Sequence, residues 1–341
     1  MDKKNELKTT LINFKNSYKI KEYDNILYVE NIIDNDEKVI KIVGININVT
    51  KLVIPDTIEN LKVKIIGKSA FKNNKNLKKV IFSNNIIKME PYAFSNCSNL
   101  TEVELSCNLQ VISKYSFSNC TSLQKLAIPF ELIKIERKAF ANCFALTNIF
   151  HYLKTRCGKV KVLNKKITDE HFPIKLTSID KYAFLNCKKI RDIYLPYKIE
   201  IINKGVFKNC EKLAQISLSN NIKKIKSFAF LGCSNLKQIK LPSNLNYLGV
   251  KAFDKNIKIS YYNSINSGIK KTISKYNNKI IENKALDIDS KMIPGSIKTF
   301  YNKQQLEEAI EKYELRSPFV TIIDRKKINI EFSKSKFTLK D

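Results

Sequence analysis

The fold is decided by residues 94–117, which read FSNCSNLTEVELSCNLQVISKYSF. The stretch starts at one phenylalanine and ends at the next, 23 residues on. The same register holds eight phenylalanines: Phe71, Phe94, Phe117, Phe140, Phe184, Phe207, Phe230 and Phe253. Every step within each set of four is 23, and the step between the sets is 44. Self-similarity at a fixed period predicts a repeat architecture.

Further residue types keep fixed offsets from the phenylalanine. Leucine or isoleucine follows it by six positions in all eight copies, and cysteine follows it by three in six copies. A single 23-residue unit cannot bury its apolar side, so the same offsets must pack on one another in successive units. The sequence therefore predicts a solenoid of about eight repeats. Asparagine two positions after the phenylalanine, in six copies, predicts a polar ladder whose amides satisfy backbone groups of the turns.

Each phenylalanine block leads into a short apolar run such as Leu100, Val103 and Leu105 followed by Asn108. This run fits the L-x-x-L-x-L-x-x-N pattern of leucine-rich repeats, in which one short strand per repeat lines a shared sheet. The full pattern, I-x-x-x-A-F-x-N-C-x-x-L-x-x-V-x-L-P, resembles the BspA-type leucine-rich repeats over residues 49–260. The resemblance implies a right-handed, strand-rich solenoid with roles in adhesion or protein binding and no catalytic activity.

The flanks of the repeats lack this signature, and we expect them to cap the solenoid because its terminal rungs need cover. Residues 1–48 predict an N-terminal cap with a short helix around Leu7, Leu11 and Phe14 and a hairpin of Ile26–Ile33 with Val39–Ile47. Residues 261–341 predict a C-terminal cap or a small α+β domain. Its expected parts are an irregular or partly stranded segment at 261–294, a helix at 303–315 and a hairpin at 319–332 that turns at 324–326.

A partner surface is predicted on the strands. The apolar residues of each strand point inward, which leaves the positions eight and ten after the phenylalanine on the exposed, concave face. These positions hold Lys79, Ile81, Glu102, Glu104, Lys125, Ala127, Asn148, Phe150, Asp192, Tyr194, Gln215, Ser217, Gln238 and Lys240. Phe150 and Tyr194 fall on successive rungs and are expected to form an aromatic anchor. The alternative is that a loop or terminal segment covers the pair.

A basic insertion accounts for the longer step between the two sets of repeats. It spans about residues 152–173, begins beside Phe150 and carries six basic residues: Lys154, Arg156, Lys159, Lys161, Lys165 and Lys166. Insertions in repeat proteins emerge as loops on one face and often bind. We predict that this one flanks the aromatic pair and favours an acidic protein surface; an ordinary variable insertion or a degenerate repeat is the alternative.

The chain is strongly basic, with 61 Lys and Arg against 32 Asp and Glu and a net charge of +29. Residues 151–260 hold 23 of the basic and 7 of the acidic residues. Only five of the basic residues are arginine, the side chain on which bidentate phosphate recognition usually depends. Solvated lysine faces are therefore the first interpretation. The alternative function is binding of anionic surfaces, nucleic acid or phospholipid, through these lysines.

Catalytic chemistry finds no support in the sequence. No nucleotide-binding, hydrolase or metalloprotease motif is present. A metal site drawn from His151, Cys157, Asp169 and His171 would fit no known ligand spacing. We therefore predict no enzyme activity, no cofactor and no metal, and a protein as the partner.

The cysteines and the ends of the sequence bear on location. Six of the eight cysteines share one repeat position, where cysteine acts as a small buried hydrophobe, so free thiols are expected. No export signal, lipid-anchor motif or membrane span is visible. The prediction is a cytoplasmic protein, with surface exposure by a non-classical route as the alternative.

Overall fold

The computed structural model describes residues 20–46, 48–129, 131–147, 175–196, 198–255, 257–262 and 265–274, together with four strands beyond them. The strands that precede the insertion are β1 (Lys21–Tyr23), β2 (Ile26–Ile33), β3 (Glu37–Ile45), β4 (Lys51–Val53), β5 (Thr57–Ile58), β6 (Leu61–Ile66), β7 (Lys79–Ile81), β8 (Lys88–Met89), β9 (Glu102–Glu104), β10 (Val111–Ile112), β11 (Lys125–Ala127) and β12 (Lys134–Ile135). Those that follow it are β13 (Ser178–Ile179), β14 (Asp192–Tyr194), β15 (Ile201–Ile202), β16 (Gln215–Ser217), β17 (Lys224–Ile225), β18 (Gln238–Lys240), β19 (Tyr247–Leu248), β20 (Lys258–Tyr262), β21 (Ile280–Asn283), β22 (Thr299–Phe300), β23 (Asn329–Ser333) and β24 (Lys336–Lys340). The α-helix of the described residues is α1 (Ser267–Ser274).

Each repeat forms one turn of a β-solenoid, called a rung below. A typical rung gives one three-residue strand to one side and one two-residue strand to another. The three-residue strands pair in parallel in the orders β11-β9-β7-β4 and β14-β16, and β18 continues the pattern with the longer β20 and β21 in the order β18-β20-β21. The two-residue strands pair in parallel in the orders β10-β12-β13 and β15-β17-β19. Pairing between equivalent positions of successive repeats confirms the predicted strand-rich leucine-rich repeat solenoid.

The core is a column of stacked rings. All eight repeat phenylalanines are at most 2% exposed. Neighbouring ring centroids lie 4.8 to 5.6 Å apart, and the ring planes are within 17° of parallel. Burial of an aromatic side chain and offset stacking both favour such a column. The fixed 23-residue register of the sequence is therefore the register of one continuous core.

The cysteine column lies beside the rings. In each of its six members the Sγ donates a hydrogen bond of 3.0 to 3.3 Å to the main-chain carbonyl of the phenylalanine one rung earlier. All six are buried free thiols. Cys107, outside the column, is disulfide-bonded. The expectation of free thiols therefore holds for the column and is wrong for Cys107.

The insertion does not interrupt the stack. Phe140 and Phe184 stack at 5.3 Å, and Asn186 donates a 2.6 Å hydrogen bond to Asn142 across the same step. Strands β12 and β13, on either side of it, are paired directly. The inserted residues themselves lie outside the described residues.

The asparagine ladder forms, but its bonds differ from the predicted ones. The amides bond to one another, since each Nδ2 donates to the Oδ1 one rung earlier at 2.6 to 2.8 Å from Asn96 to Asn209. The turns need no side-chain acceptor, because their main-chain N–H groups bond to main-chain carbonyls of the next rung. The Asn96 N–H, for example, donates to the Ser118 carbonyl at 2.8 Å. The ladder stops at Gly232, where a Cβ would lie 2.2 Å from the Asn209 Oδ1.

The N-terminal hairpin extends one sheet of the solenoid. Strands β2 and β3 are antiparallel, joined by a 3-10 turn at Asp34–Asp36, where the sequence analysis places a hairpin. Strand β3 then pairs in parallel with β6 of the first rung. The helix predicted around Leu7 to Phe14 lies outside the described residues, and the boundary at residue 48 stays a prediction.

In the C-terminal flank, where an irregular or partly stranded segment was expected at 261–294, the structure has strands and, in addition, a helix that was not predicted. Strand β20 leads into helix α1 and then β21, which pairs in parallel with β20. Asn266 starts the helix, since its Oδ1 accepts the Gly268 N–H at 2.7 Å. Ile269 and Ile273 bury one face of the helix in the same core as the repeat phenylalanines. Gly268 and the β-branched residues of this helix have weak helix propensity, which explains why the sequence did not reveal it.

Near the C-terminus, β23 forms antiparallel pairs with β22 and with β24. The described hairpin therefore turns between Ser333 and Lys336. The turn predicted at 324–326 and the helix predicted at 303–315 lie outside the described residues.

Candidate binding surface

The strand face is the surface made by the outward positions of the three-residue strands. In its N-terminal half, Lys79 is paired in register with Glu102 of the next strand. The Lys79 Nζ lies 2.6 Å from Glu104 Oε1 and 3.3 Å from Glu102 Oε1. The hydrogen bond to Glu104, aided by that to Glu102, raises the pKa of Lys79. The one positive and two negative charges of this cluster leave a net charge of only −1, and the ion pairs hold the three side chains to one another.

Ile81 does not belong to the exposed face. Its side chain is only 8% exposed. Val53 and Glu104 occupy the same register position in the strands on either side. Side chains at adjacent register positions of a parallel sheet cover a branched residue between them, so the prediction of an exposed Ile81 is wrong.

The C-terminal half of the strand face is open. Asp192, Gln215 and Gln238 are exposed on three rungs in succession, and Ser217 and Lys240 are exposed beside them. Asp192 is in register with Gln215, and Tyr194 with Ser217. The residues between the outward positions point into the core: Ile193 is 1% and Ile239 3% exposed. No ion pair involves Asp192 in the described part of the chain.

Part of the predicted site falls outside the described residues. This holds for Asn148, Phe150 and the basic insertion with Lys154, Arg156, Lys159, Lys161, Lys165 and Lys166. For Tyr194 and Lys125 the strand position is described and the side chain is not. Tyr194 lies on β14. Lys125 lies on β11, where it is in register with Glu102 of β9. The Phe150–Tyr194 pair stays a prediction.

A second surface, here called the turn edge, was not predicted from the sequence. The position two before each repeat phenylalanine has a left-handed backbone, with φ between 52° and 64°. Its occupants are Ser69, Tyr92, Tyr115, Lys138, Tyr182, Gly205, Phe228 and Lys251. Aromatic side chains in half of these copies, at a fixed offset, were the sequence signal. The unusual backbone was not predictable, because non-glycine residues rarely adopt positive φ.

The aromatic residues of the turn edge contact one another and lysines. Tyr92 and Tyr115 stack at 4.8 Å with planes 7° apart. The Lys72 ammonium lies 5.7 Å from the Tyr92 ring centroid, and the Lys138 ammonium 5.6 Å from that of Tyr115. The two lysines and two tyrosines therefore form one cation–π stack over four successive rungs.

Exposed basic residues immediately precede this position in five of the eight rungs. They are Lys68, Lys114, Arg137, Lys181 and Lys204. In the described residues none of the five is in an ion pair. The acidic residues that adjoin two of them in sequence are already engaged: Glu136, next to Arg137, lies 3.7 Å from Lys134, and Asp180, next to Lys181, lies 3.5 Å from Lys134.

A shallow groove of about 330 Å³ runs between the tyrosines and the asparagine ladder. Ser95 and Ser118 line it together with ladder amides and the cations of Lys72 and Lys138. Ala141 and Leu185 also line it, so the groove combines cationic and amide groups with a mainly apolar wall. Within the described ranges no three His, Cys, Asp or Glu side chains are grouped to hold a metal ion.

The architecture defines a class, the leucine-rich repeat proteins. A model of the "BspA type Leucine rich repeat region" matches residues 45–156 and 161–286 in six copies, and the chain belongs to that family. Members of the family are generally protein-interaction or adhesion scaffolds. In the part of the chain that the structure describes, no helix has the length and apolarity needed to cross a bilayer.

Solved structures share the fold. A leucine-rich repeat protein from Bacteroides ovatus is 25% identical with a TM-score of 0.59, over 72% of this chain and 60% of its own. This chain thus spans about 60% of the length of that protein. A leucine-rich repeat protein of T. pallidum is 19% identical with a TM-score of 0.51, over 76% of this chain and 97% of its own. A search of curated proteins returned no match.

Proposed function

We propose that this protein is a non-enzymatic scaffold that binds another protein through the strand face. The observation that carries the proposal is the open C-terminal half of that face, where Asp192, Gln215 and Gln238 are exposed in consecutive rungs over a buried core. A rigid row of side chains at sheet spacing offers a preorganised surface, which lowers the entropic cost of binding.

The N-terminal half has a different part in this proposal. The ion pairs of Lys79 with Glu102 and Glu104 hold their side chains to one another. A partner would have to break these pairs to use the charges. We therefore place the centre of the interface on β14, β16 and β18, with Tyr194 and, from the sequence, Phe150 as its aromatic anchor and the basic insertion at its rim.

The test is capture from the native lysate with three forms of the chain. The strand-face variant is Asp192→Ala/Gln215→Ala/Gln238→Ala. The matched control, Lys88→Ala/Lys224→Ala/Tyr247→Ala, alters exposed outward positions of the two-residue strands. We expect a protein that wild type and control retain at raised salt and that the strand-face variant loses. Equal retention by all three forms would contradict the proposal.

The alternative, binding of anionic surfaces through lysines, differs in its response to salt. Contacts that release counterions weaken steeply as salt rises, whereas an aromatic and hydrogen-bonded interface weakens less.

The cellular location also stays a prediction. Cell fractionation with an antibody against the chain separates the expected cytoplasmic pool from protein at the surface.

A further inference from the structure

The turn edge concentrates positive charge in a narrow line. Four successive rungs carry an exposed basic residue at the same position: Lys114, Arg137, Lys181 and Lys204. Neighbouring rings of the phenylalanine column lie 4.8 to 5.6 Å apart, centroid to centroid, so the basic residues recur at about that interval along the solenoid. None of the four is in an ion pair in the described residues, which leaves them available to an external anion.

The groove between the tyrosines and the asparagine ladder adjoins part of this line, since its lining residues Tyr115 and Lys138 directly follow Lys114 and Arg137. Ser95 and Ser118 lie in that groove. Each ladder asparagine uses one amide N–H for the rung before it, as Asn119 does to Asn96 at 2.7 Å. Such an amide carries a second N–H donor. Amide groups that repeat from rung to rung, together with the hydroxyls of Ser95 and Ser118, suit a ligand with many hydroxyls.

We propose that the turn edge binds a linear acidic polysaccharide laid along the solenoid axis. Its carboxylate or sulfate groups would meet the basic residues, and its hydroxyls would meet the groove. Lysine suits this role because it acts as a point charge and does not require the planar geometry that arginine matches. The site is separate from the strand face, so the proposal stands independently of the proposed function.

Single-stranded nucleic acid fits this edge less well. Proteins that bind it without sequence preference offer free aromatic faces on which bases stack. Here Tyr92 and Tyr115 cover each other, and Lys72 and Lys138 cover their outer faces. The Tyr182 ring packs against Gly205, where a Cβ would lie 2.3 Å from it.

A membrane surface also fits less well. Directly before Arg137 and Lys181 in sequence stand the carboxylates of Glu136 and Asp180. A planar anionic surface broad enough to reach the basic line would also approach these carboxylates. A narrow chain can follow the line between them and the groove.

The test measures binding of the full chain to heparin and to polygalacturonate at about 0.15 M salt. Neutral dextran, oligo-dT and phosphatidylserine vesicles are the comparison probes. Polygalacturonate carries carboxylates alone, whereas heparin carries sulfates as well, so binding to heparin but not to polygalacturonate would assign recognition to sulfate. We expect binding to at least one acidic polysaccharide, with no binding to dextran and weaker binding to oligo-dT and to vesicles.

Two variants of equal charge make the test specific. The edge variant is Lys114→Gln/Arg137→Gln/Lys181→Gln/Lys204→Gln. The control is Lys78→Gln/Lys88→Gln/Lys189→Gln/Lys212→Gln, whose lysines are exposed and lie off the turn edge. The edge variant should lose at least about tenfold in affinity and bind with a shallower salt dependence, and the control should lose less than about threefold.

A third variant tests the groove without changing charge. Ser95→Ala/Ser118→Ala should weaken polysaccharide binding by about threefold, as expected for lost hydrogen bonds, and leave the salt dependence unchanged. Three results would overturn the proposal: no binding to either polysaccharide, equal losses in the edge and control variants, or tighter binding to oligo-dT or vesicles.

Discussion

The rings of Phe140 and Phe184 stack at 5.3 Å with planes 7° apart, although their positions differ by 44 in the sequence. Every other step of the column is 23. The two sets of repeats therefore form one continuous core, and the turn edge continues across the insertion, where the Lys138 N–H donates to the Lys181 carbonyl at 3.3 Å. On both sides of the insertion, the residues of the strand face and of the turn edge therefore recur once per rung.

Removing one ring should open the column. We expect Phe140→Ala to lower the free energy of unfolding by about 3–5 kcal/mol, since it leaves a cavity between Phe117 and Phe184. Phe144→Ala, in the same rung but 39% exposed, should cost less than about 1 kcal/mol. Denaturant unfolding followed by circular dichroism measures both. Equal effects would show that the ring column does not dominate stability.

Deletion of the insertion should leave the solenoid intact. Removing residues 153–173 brings Phe140 and Phe184 to the regular spacing of 23. Because the rungs on either side already stack, the thermal midpoint in the presence of a reductant should change by less than about 4 °C. Loss of cooperative unfolding in the deletion variant would mean that the insertion supports the core.

The asparagine ladder allows backbone strain to be separated from hydrogen bonding. Asn119 has φ 63° and takes part in two amide bonds, to Asn96 and from Asn142. Both Asn119→Gly and Asn119→Ala remove these bonds, but only alanine is strained at this backbone angle. We expect alanine to destabilise the protein by about 1 kcal/mol more than glycine does. Chemical unfolding of both variants measures this difference. A glycine variant less stable than the alanine variant would contradict the strain argument.

The cysteine column should be inert in the folded protein. Burial raises the pKa of Cys143, Cys187 and Cys210 well above the ordinary thiol value, and that of Cys233 to about 12. Since the thiolate is the reactive form, iodoacetamide at pH 8 should label the column only after unfolding. Mass spectrometry of native and denatured samples counts the labelled residues.

The same shifts give a pH dependence. The folded pKa values lie above the ordinary thiol value of 9.0, so above about pH 9 the unfolded chain loses thiol protons that the folded chain keeps. The contribution of the protonated thiols to the free energy of unfolding is therefore complete below about pH 9 and decreases as the pH rises above it. Native labelling of the column at pH 8, or no decline in stability above pH 9, would contradict this account.

Much of the core was predictable because its residues recur at one spacing. The phenylalanine and cysteine positions, the strand positions and the continuity of the repeats all follow from that register. Three features did not. Tyr92 and Tyr115 adopt a backbone that their residue type disfavours. Ile81 is covered by neighbours in adjacent strands. Helix α1 gains stability from burial of Ile269 and Ile273, which local propensity does not report.

The candidate surfaces were predictable only in part. Alternation along a strand identifies its outward residues, and this placed Asp192, Gln215 and Gln238 correctly on the exposed side. It could not show that Lys79 is neutralised by Glu104, because that pair depends on side chains of different rungs. The turn edge was missed because a turn carries no alternating pattern.

The most direct test of the central claim, binding through the strand face, compares two positions of one rung. A photo-crosslinking residue replaces Gln215 on β16 in one protein and Lys224 on β17 in another; both positions are exposed and lie on different sheets. After capture from the lysate and irradiation, we expect a crosslinked partner from position 215 and none from position 224. A crosslink from position 224 alone would contradict the account.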